Sequence, residues 1–133
     1  MLPVQLRRNE EELAVIASIA RSGDDGPVLM LNLNRYKAGS GFPGEGIHGN
    51  YITGLERFLP GVGGQILWRR PVLGQAVGEQ NIDEILAAWY PSLQSFLDLS
   101  TAPGAAENYR LRGECVEYAV IHRCPGDQFP FCP

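Results

Sequence analysis

The sequence carries no excess of positive charge: Lys and Arg total 11 against 15 Asp and Glu, for a formal net charge of −4. Phosphate backbones and anionic lipids are held by clustered cations, and here only Arg7-Arg8 and Arg69-Arg70 stand together, so neither nucleic acid nor a membrane surface is an expected partner. No apolar run approaches the ~20 residues that span a bilayer. Met1-Leu2-Pro3-Val4-Gln5-Leu6 lacks the charged-then-apolar pattern of a secretory signal, and the expectation is a cytoplasmic protein. Cysteine is scarce and odd in number. Cys115, Cys124 and Cys132 are irregularly spaced, unlike the dense even set of a disulfide scaffold. Reduced thiols are the plainer reading, with a Cys124–Cys132 disulfide across the turn-rich Pro125 to Phe131 stretch as the alternative.

Catalytic signatures are missing as well. There is no Gly-x-Ser-x-Gly elbow, and no histidine partners the cysteines outside the tail. His122, Cys124 and Cys132 fall short of the ligand set of structural zinc. Gly39-Ser40-Gly41-Phe42-Pro43-Gly44 spells a dinucleotide fingerprint out of context: Pro43 sits inside the loop, further residues precede the next helix, and Leu59 to Gly64 holds no acid. No metal and no cofactor is expected.

What is present is the pattern of one small α+β domain. At 133 residues and 44% hydrophobic, the chain fits a single core. Asn9 is a good cap, Glu10, Glu11 and Glu12 favour the positive end of a helix dipole, and Glu12 falls where a capping box wants it. Leu13, Ile16 and Ile19 or Ala20 recur at helical spacing, so a leading helix spans 9–22. Strand one is Val28 to Tyr36, and Lys37 to Gly49, glycine-rich with Pro43, reads as a surface loop. Tyr51, Leu55, Phe58, Leu59 and Val62 form the stripe of a first crossover helix. Gln65 to Arg70 opens a strand continuing to Val77, with Pro71 at a bulge or edge; Gly78 to Asn81 suits a hairpin turn, and Ile85 to Tyr90 is strand three. A short helix follows Ser92, another opens at Thr101-Ala102-Pro103 and ends at Gly113, and strand four is Cys115 to His122. After the leading helix the order is β-α-β-β-α-β over residues 26–122, the ferredoxin-like arrangement, with a tail at 123–133.

Strand parity then implies a partner. Leu29, Leu31 and Leu33 point one way and Val28 and Met30 the other, while Ile85, Ala87 and Trp89 oppose Leu86, Ala88 and Tyr90. Helices cover one face. An equally apolar second face is larger than monomers usually tolerate, and pairing with a second copy across a two-fold axis removes it.

Gly26-Pro27-Val28-Leu29-Met30-Leu31-Asn32-Leu33 with Arg35-Tyr36-Lys37, then Gly63-Gly64-Gln65-Ile66-Leu67-Trp68-Arg69, then Tyr90-Pro91-Ser92 and Phe96-Leu97, resemble an uncharacterised bacterial family of the dimeric α+β barrel superfamily. The similarity runs from about residue 9 to residue 122. It implies a ferredoxin-like protomer and a barrel-like homodimer, in a superfamily that includes cofactor-free monooxygenases, lactone isomerases and haem-binding members. Relatives carry a Trp-Asp pair before strand three where this chain has Ile82-Asp83, and the tail from Cys124 to Pro133 lies outside the shared pattern.

The candidate site rests on a few residues. His48, at the end of the glycine-rich loop, could serve as general base with the Tyr51 phenol as donor, although a histidine on a polar loop is more often simply solvated. Asn32 and Asn34 share one face of strand one, where asparagine is depleted, so they satisfy backbone or orient a ligand. Trp68 and Tyr90 are candidate pocket walls and Arg69 a candidate anion anchor; the plainer alternative makes Trp68 core and pairs Arg69 with an acid. Two functions follow. One is a small-molecule-binding dimer with cofactor-independent isomerase, lyase or monooxygenase activity; the other is a catalytically silent dimer that binds a ligand or protein through its loop and tail.

Overall fold

Asn9 starts the first helix, as its place before three glutamates predicts. In the computed structural model, which describes residues 8–133, its side-chain oxygen accepts the Glu12 N–H at 3.2 Å. The Met1 to Leu6 stretch and Arg7 lie outside the described residues. α1 (Glu10–Ser22) closes on Gly23, whose φ of 85° is left-handed geometry that glycine takes without a Cβ penalty. Glu12 does not turn back to complete a capping box. Its carboxylate runs to Arg123 of the last strand at 2.7 and 3.1 Å, and hydrogen bonding to that guanidinium holds it below the usual carboxylate range.

The chain continues as β1 (Val28–Tyr36), α2 (Gly46–Phe58), β2 (Gln65–Pro71), β3 (Glu84–Tyr90), α3 (Leu93–Asp98), α4 (Ala105–Cys115) and β4 (Val116–Pro125). The strands lie in the order β2-β3-β1-β4, each neighbouring pair antiparallel. This is the ferredoxin-like α+β sheet, with α1 as the extra leading helix.

Several boundaries depart from the sequence reading for local reasons. α2 begins inside the stretch read as loop, because the Ser40 carbonyl accepts the His48 N–H at 2.7 Å and the Glu45 carbonyl accepts the Gly49 N–H at 3.0 Å, winding the chain early. β2 stops at Pro71 rather than Val77, since proline has no N–H to continue the ladder. Residues 72–83 form a loop that absorbs the expected hairpin turn. Val72 N–H to the Asp83 carbonyl closes its base at 2.8 Å, and the Gln75 side chain accepts from the Gln80 and Asn81 N–H groups inside it. α4 opens at Ala105, after a 3-10 turn at Leu99–Thr101, and runs through Gly113; Cys115 ends this helix instead of starting strand four. β4 extends past His122 to Pro125, taking residues from the tail.

Register fixes the two faces. Val28, Met30, Asn32 and Asn34 lie opposite Tyr90, Ala88, Leu86 and Glu84, and all share the side that the helices cover. Beneath α1 and α3, Val28, Met30, Leu59, Ala88, Tyr90 and Leu93 form one core cluster. Beneath α2 and α4, Tyr36, Tyr51, Ile52, Leu86, Cys115 and Val116 form the second. Each fully buried large side chain, such as Met30 or Leu86, contributes about 1.5–3 kcal/mol. On the open side Leu29, Leu31 and Leu33 lie opposite Trp89, Ala87 and Ile85 in β3 and Cys124, His122 and Val120 in β4. Among the described residues no helix is long and apolar enough to cross a membrane.

Candidate functional site

Glu84 opens β3 directly opposite Asn34 of β1, in phase with Leu86, Ala88 and Tyr90, so its side chain enters the helix-covered side. The residue is 2% exposed. A buried carboxylate needs partners, and Glu84 has donors on both oxygens. Its Oε1 accepts the Tyr36 hydroxyl at 2.5 Å and faces His48 Nε2 at 3.1 Å; its Oε2 accepts an Arg69 guanidinium N–H at 2.6 Å. Asn34 Nδ2 donates in turn to the Tyr36 hydroxyl oxygen at 3.4 Å.

The glycine-rich loop fixes the state of His48. Gly44 N–H donates to His48 Nδ1 at 2.8 Å, which leaves that nitrogen as the acceptor and places the ring proton on Nε2, pointed at Glu84. Tyr36 and Phe42 pack edge-on to the imidazole, with centroids 4.6 and 4.9 Å away. Loop and helix approach so closely that a Cβ on Gly49 would lie 2.7 Å from the Gly44 carbonyl oxygen. His48 is fully buried in the first turn of α2, not solvated on a loop.

Burial, and then the Glu84 carboxylate, push the Tyr36 phenol well above its usual range, so it stays a proton donor. Cys115 is also fully buried; burial and the nearby Glu84 charge push its thiol up to about 11. Arg69 is the member of the network that reaches solvent, with a third of its side chain exposed.

Of the residues expected at a site, the fold brings together His48, Asn34 and Arg69. Tyr51 sits in the core between α2 and α4, raised above its usual range by burial, and no hydrogen bond joins it to His48 among the described residues. Asn32 donates to the Met30 carbonyl at 3.0 Å, satisfying local backbone. Tyr90 belongs to the other core cluster, against Phe96 at 5.5 Å, and burial raises its phenol too. Trp68 lies on the open side, opposite Ala87, with Phe131 at 5.8 Å. Glu84 and Tyr36 were missed; their signal is an acid and a phenol in phase with core positions on neighbouring strands. All three cysteines are free thiols. Among the described residues no cluster of three or more His, Cys, Asp or Glu is placed to hold a metal. A surface cleft of about 320 Å³ lies at the other end of the sheet, lined by Ile19, Val28, Leu93 and Arg123, away from the network.

No family model matches the chain, and no curated protein matches it. Solved structures do. A protein of unknown function from Rhodopseudomonas palustris superposes with a TM-score of 0.73 at 23% identity, covering 93% of this chain and 98% of that one. A methylated form of the same protein gives 0.69 at 22% identity, with coverage of 94% and 96%. A hydroxynitrile lyase from Passiflora edulis gives 0.57 at 19% identity, covering 79% of this chain and 98% of that one. At these identities the likeness is one of fold.

Proposed function

We propose that this chain is one protomer of a cytoplasmic homodimer of the dimeric α+β barrel superfamily, paired through its open sheet face. It binds a small organic molecule and turns it over without a cofactor, by proton transfer of the isomerase or lyase type. The observation that carries this reading is Glu84, a buried carboxylate held by Tyr36, His48 and Arg69 at once. Such a constellation sets a carboxylate beside a cation in surroundings of low dielectric, where electrostatic interactions are stronger than in water.

Glu84 takes a proton from a hydroxyl or an activated carbon of the substrate. The electron pair released moves into the substrate, either to a new double bond or out with a leaving anion, and Arg69 offsets the negative charge from the solvent side. His48 acts as a positioning residue: both its nitrogens are engaged, so it aims the carboxylate rather than meeting substrate. Glu84 then returns the same proton to the substrate at its shifted position or to the leaving anion, while Tyr36, kept protonated, holds the carboxylate by its hydroxyl hydrogen bond as a second positioning residue. Tyr51, Asn32, Trp68 and Tyr90 take packing roles. The Passiflora protein is a lyase by its name, which supports the compatibility of this architecture with lyase chemistry.

Native mass spectrometry of protein from its own host, followed by turnover assays on hydroxynitriles and other small carbonyl compounds, tests the reading. A dimer with a releasable adduct, and turnover reduced about 100-fold or more in Glu84→Gln, is expected. Full turnover in Glu84→Gln would overturn it. The second reading, a catalytically silent binding module, draws on Leu73, Val77 and Phe129, which are 98%, 91% and 91% exposed on the β2–β3 loop and the tail. In that case removing residues 124–133 abolishes binding, while substitutions in the network leave it unchanged.

A further inference from the structure

The end of the chain is tied to the sheet. After β4, Gly126 folds back so that its N–H donates to the Pro27 carbonyl at 3.1 Å and its carbonyl accepts the Trp89 indole N–H at 2.7 Å. A Cβ there would lie 2.4 Å from Val28 N, so only glycine allows this approach. Farther on, the Phe131 ring meets Trp68 at 5.8 Å, and its N–H closes a turn on the Gln128 carbonyl at 3.0 Å. Trp89 and Trp68 both stand on the open side, in β3 and in the edge strand β2. Residues 126–133 therefore run as a strap across the two tryptophans of the open side.

The strap seats incompletely. Among the described residues the buried Trp68 indole N–H has no acceptor, a state that costs free energy which a better-matched cover would recover. Phe129 remains 91% exposed and Phe131 47%, so the strap leaves much of its own apolar surface in water while occupying the face. A second copy laid on the same face across a two-fold axis would cover Leu31, Leu33 and Ile85, which share this side with Trp89.

We propose that residues 127–133 are an autoinhibitory strap: they occupy the surface through which two copies pair, and pairing requires them to lift. This rests on the dimer reading above. The test compares the full chain, a chain ending at Gly126, and full-length Phe131→Ala by sedimentation across a dilution series, with tryptophan emission recorded at the dilute end. Both altered forms should dimerise at about tenfold lower concentration than the full chain, a gain of about 1.4 kcal/mol, and the dilute shortened chain should emit further to the red. Equal or weaker dimerisation of the altered forms would overturn the strap and leave the dimer standing. Failure of every form to associate would overturn both.

Discussion

Glu84 concentrates the chemistry of this chain at one residue, and truncating it tests how much of the fold depends on that. In Glu84→Ala the Tyr36 hydroxyl, His48 Nε2–H and an Arg69 N–H lose their shared acceptor, so stability should fall by about 3 kcal/mol or more in urea titration. A loss under about 1 kcal/mol would mean that water replaces the carboxylate freely, and that the site is wetter than its burial indicates. Cys115 gives a pH-dependent counterpart. Its thiol is raised from 9.0 to about 11, burial being the larger cause and the Glu84 charge the next. The folded thiol keeps its proton where the unfolded one loses it; the contribution is whole below about 9 and vanishes as pH rises through about 11. Melting temperature should therefore fall across that window more steeply in the native chain than in Cys115→Ala, and equal slopes would remove Cys115 as a cause. Little of this is legible in the sequence. His48, Asn34 and Arg69 drew attention as residue types, but Glu84 stands in a run of charge and polarity before an apolar strand, where an acid ordinarily faces solvent. Only its phase with Leu86 and Ala88, read together with that of Asn34 on β1, places it inside.

Glycine shows how an element decides the sign of a substitution. The sequence pattern ends a helix at Gly113, yet α4 passes through it, and among the described residues a Cβ there meets nothing within 4 Å. Gly113→Ala should then stabilise the chain by about 0.5–1 kcal/mol through helix propensity, read as a higher denaturation midpoint. Gly49 is helical as well, but its Cβ would strike the Gly44 carbonyl oxygen in the loop that holds His48. Gly49→Ala should destabilise, and should disturb the His48 ring in NMR by loosening the Gly44 N–H bond that fixes its proton. Stabilisation of both variants would refute the close approach. Element types were readable because hydrophobic period, caps and turn residues agree, as with Asn9 before α1 and Ser92, whose hydroxyl accepts the Ser95 N–H at 3.1 Å. Ends were less so, because they depend on contacts between distant segments. Asp25 accepts the Leu93 and Gln94 N–H groups at the start of α3, and no local pattern announces a cap that comes from so far along the chain.

For the molecule as a whole, strand parity was enough to reveal a second apolar side, because alternation along a strand survives uncertainty in its ends. Parity says nothing of a short tail, whose path rests on two tryptophans separated in sequence, and the strap over Trp68 and Trp89 emerged only from the fold. The open face and the Glu84 network lie on opposite sides of the same sheet, which lets assembly be separated from chemistry. Leu31 stands on the open side between Ala87 and His122, and is half-buried. Leu31→Glu places a carboxylate there without touching a helix or a member of the network. In a two-fold dimer it also sets like charges across the interface, so the variant should be monomeric by light scattering while keeping a cooperative melt. Each chain retains its own Tyr36, His48, Arg69 and Glu84, and ligand binding per chain should persist. A variant that still dimerises would show that copies pair elsewhere, and one that fails to fold would make this face part of a single chain's core. A folded monomer that has lost its ligand would mean that the partner completes the site, moving the substrate from the guanidinium edge of Arg69 towards the seam between two sheets.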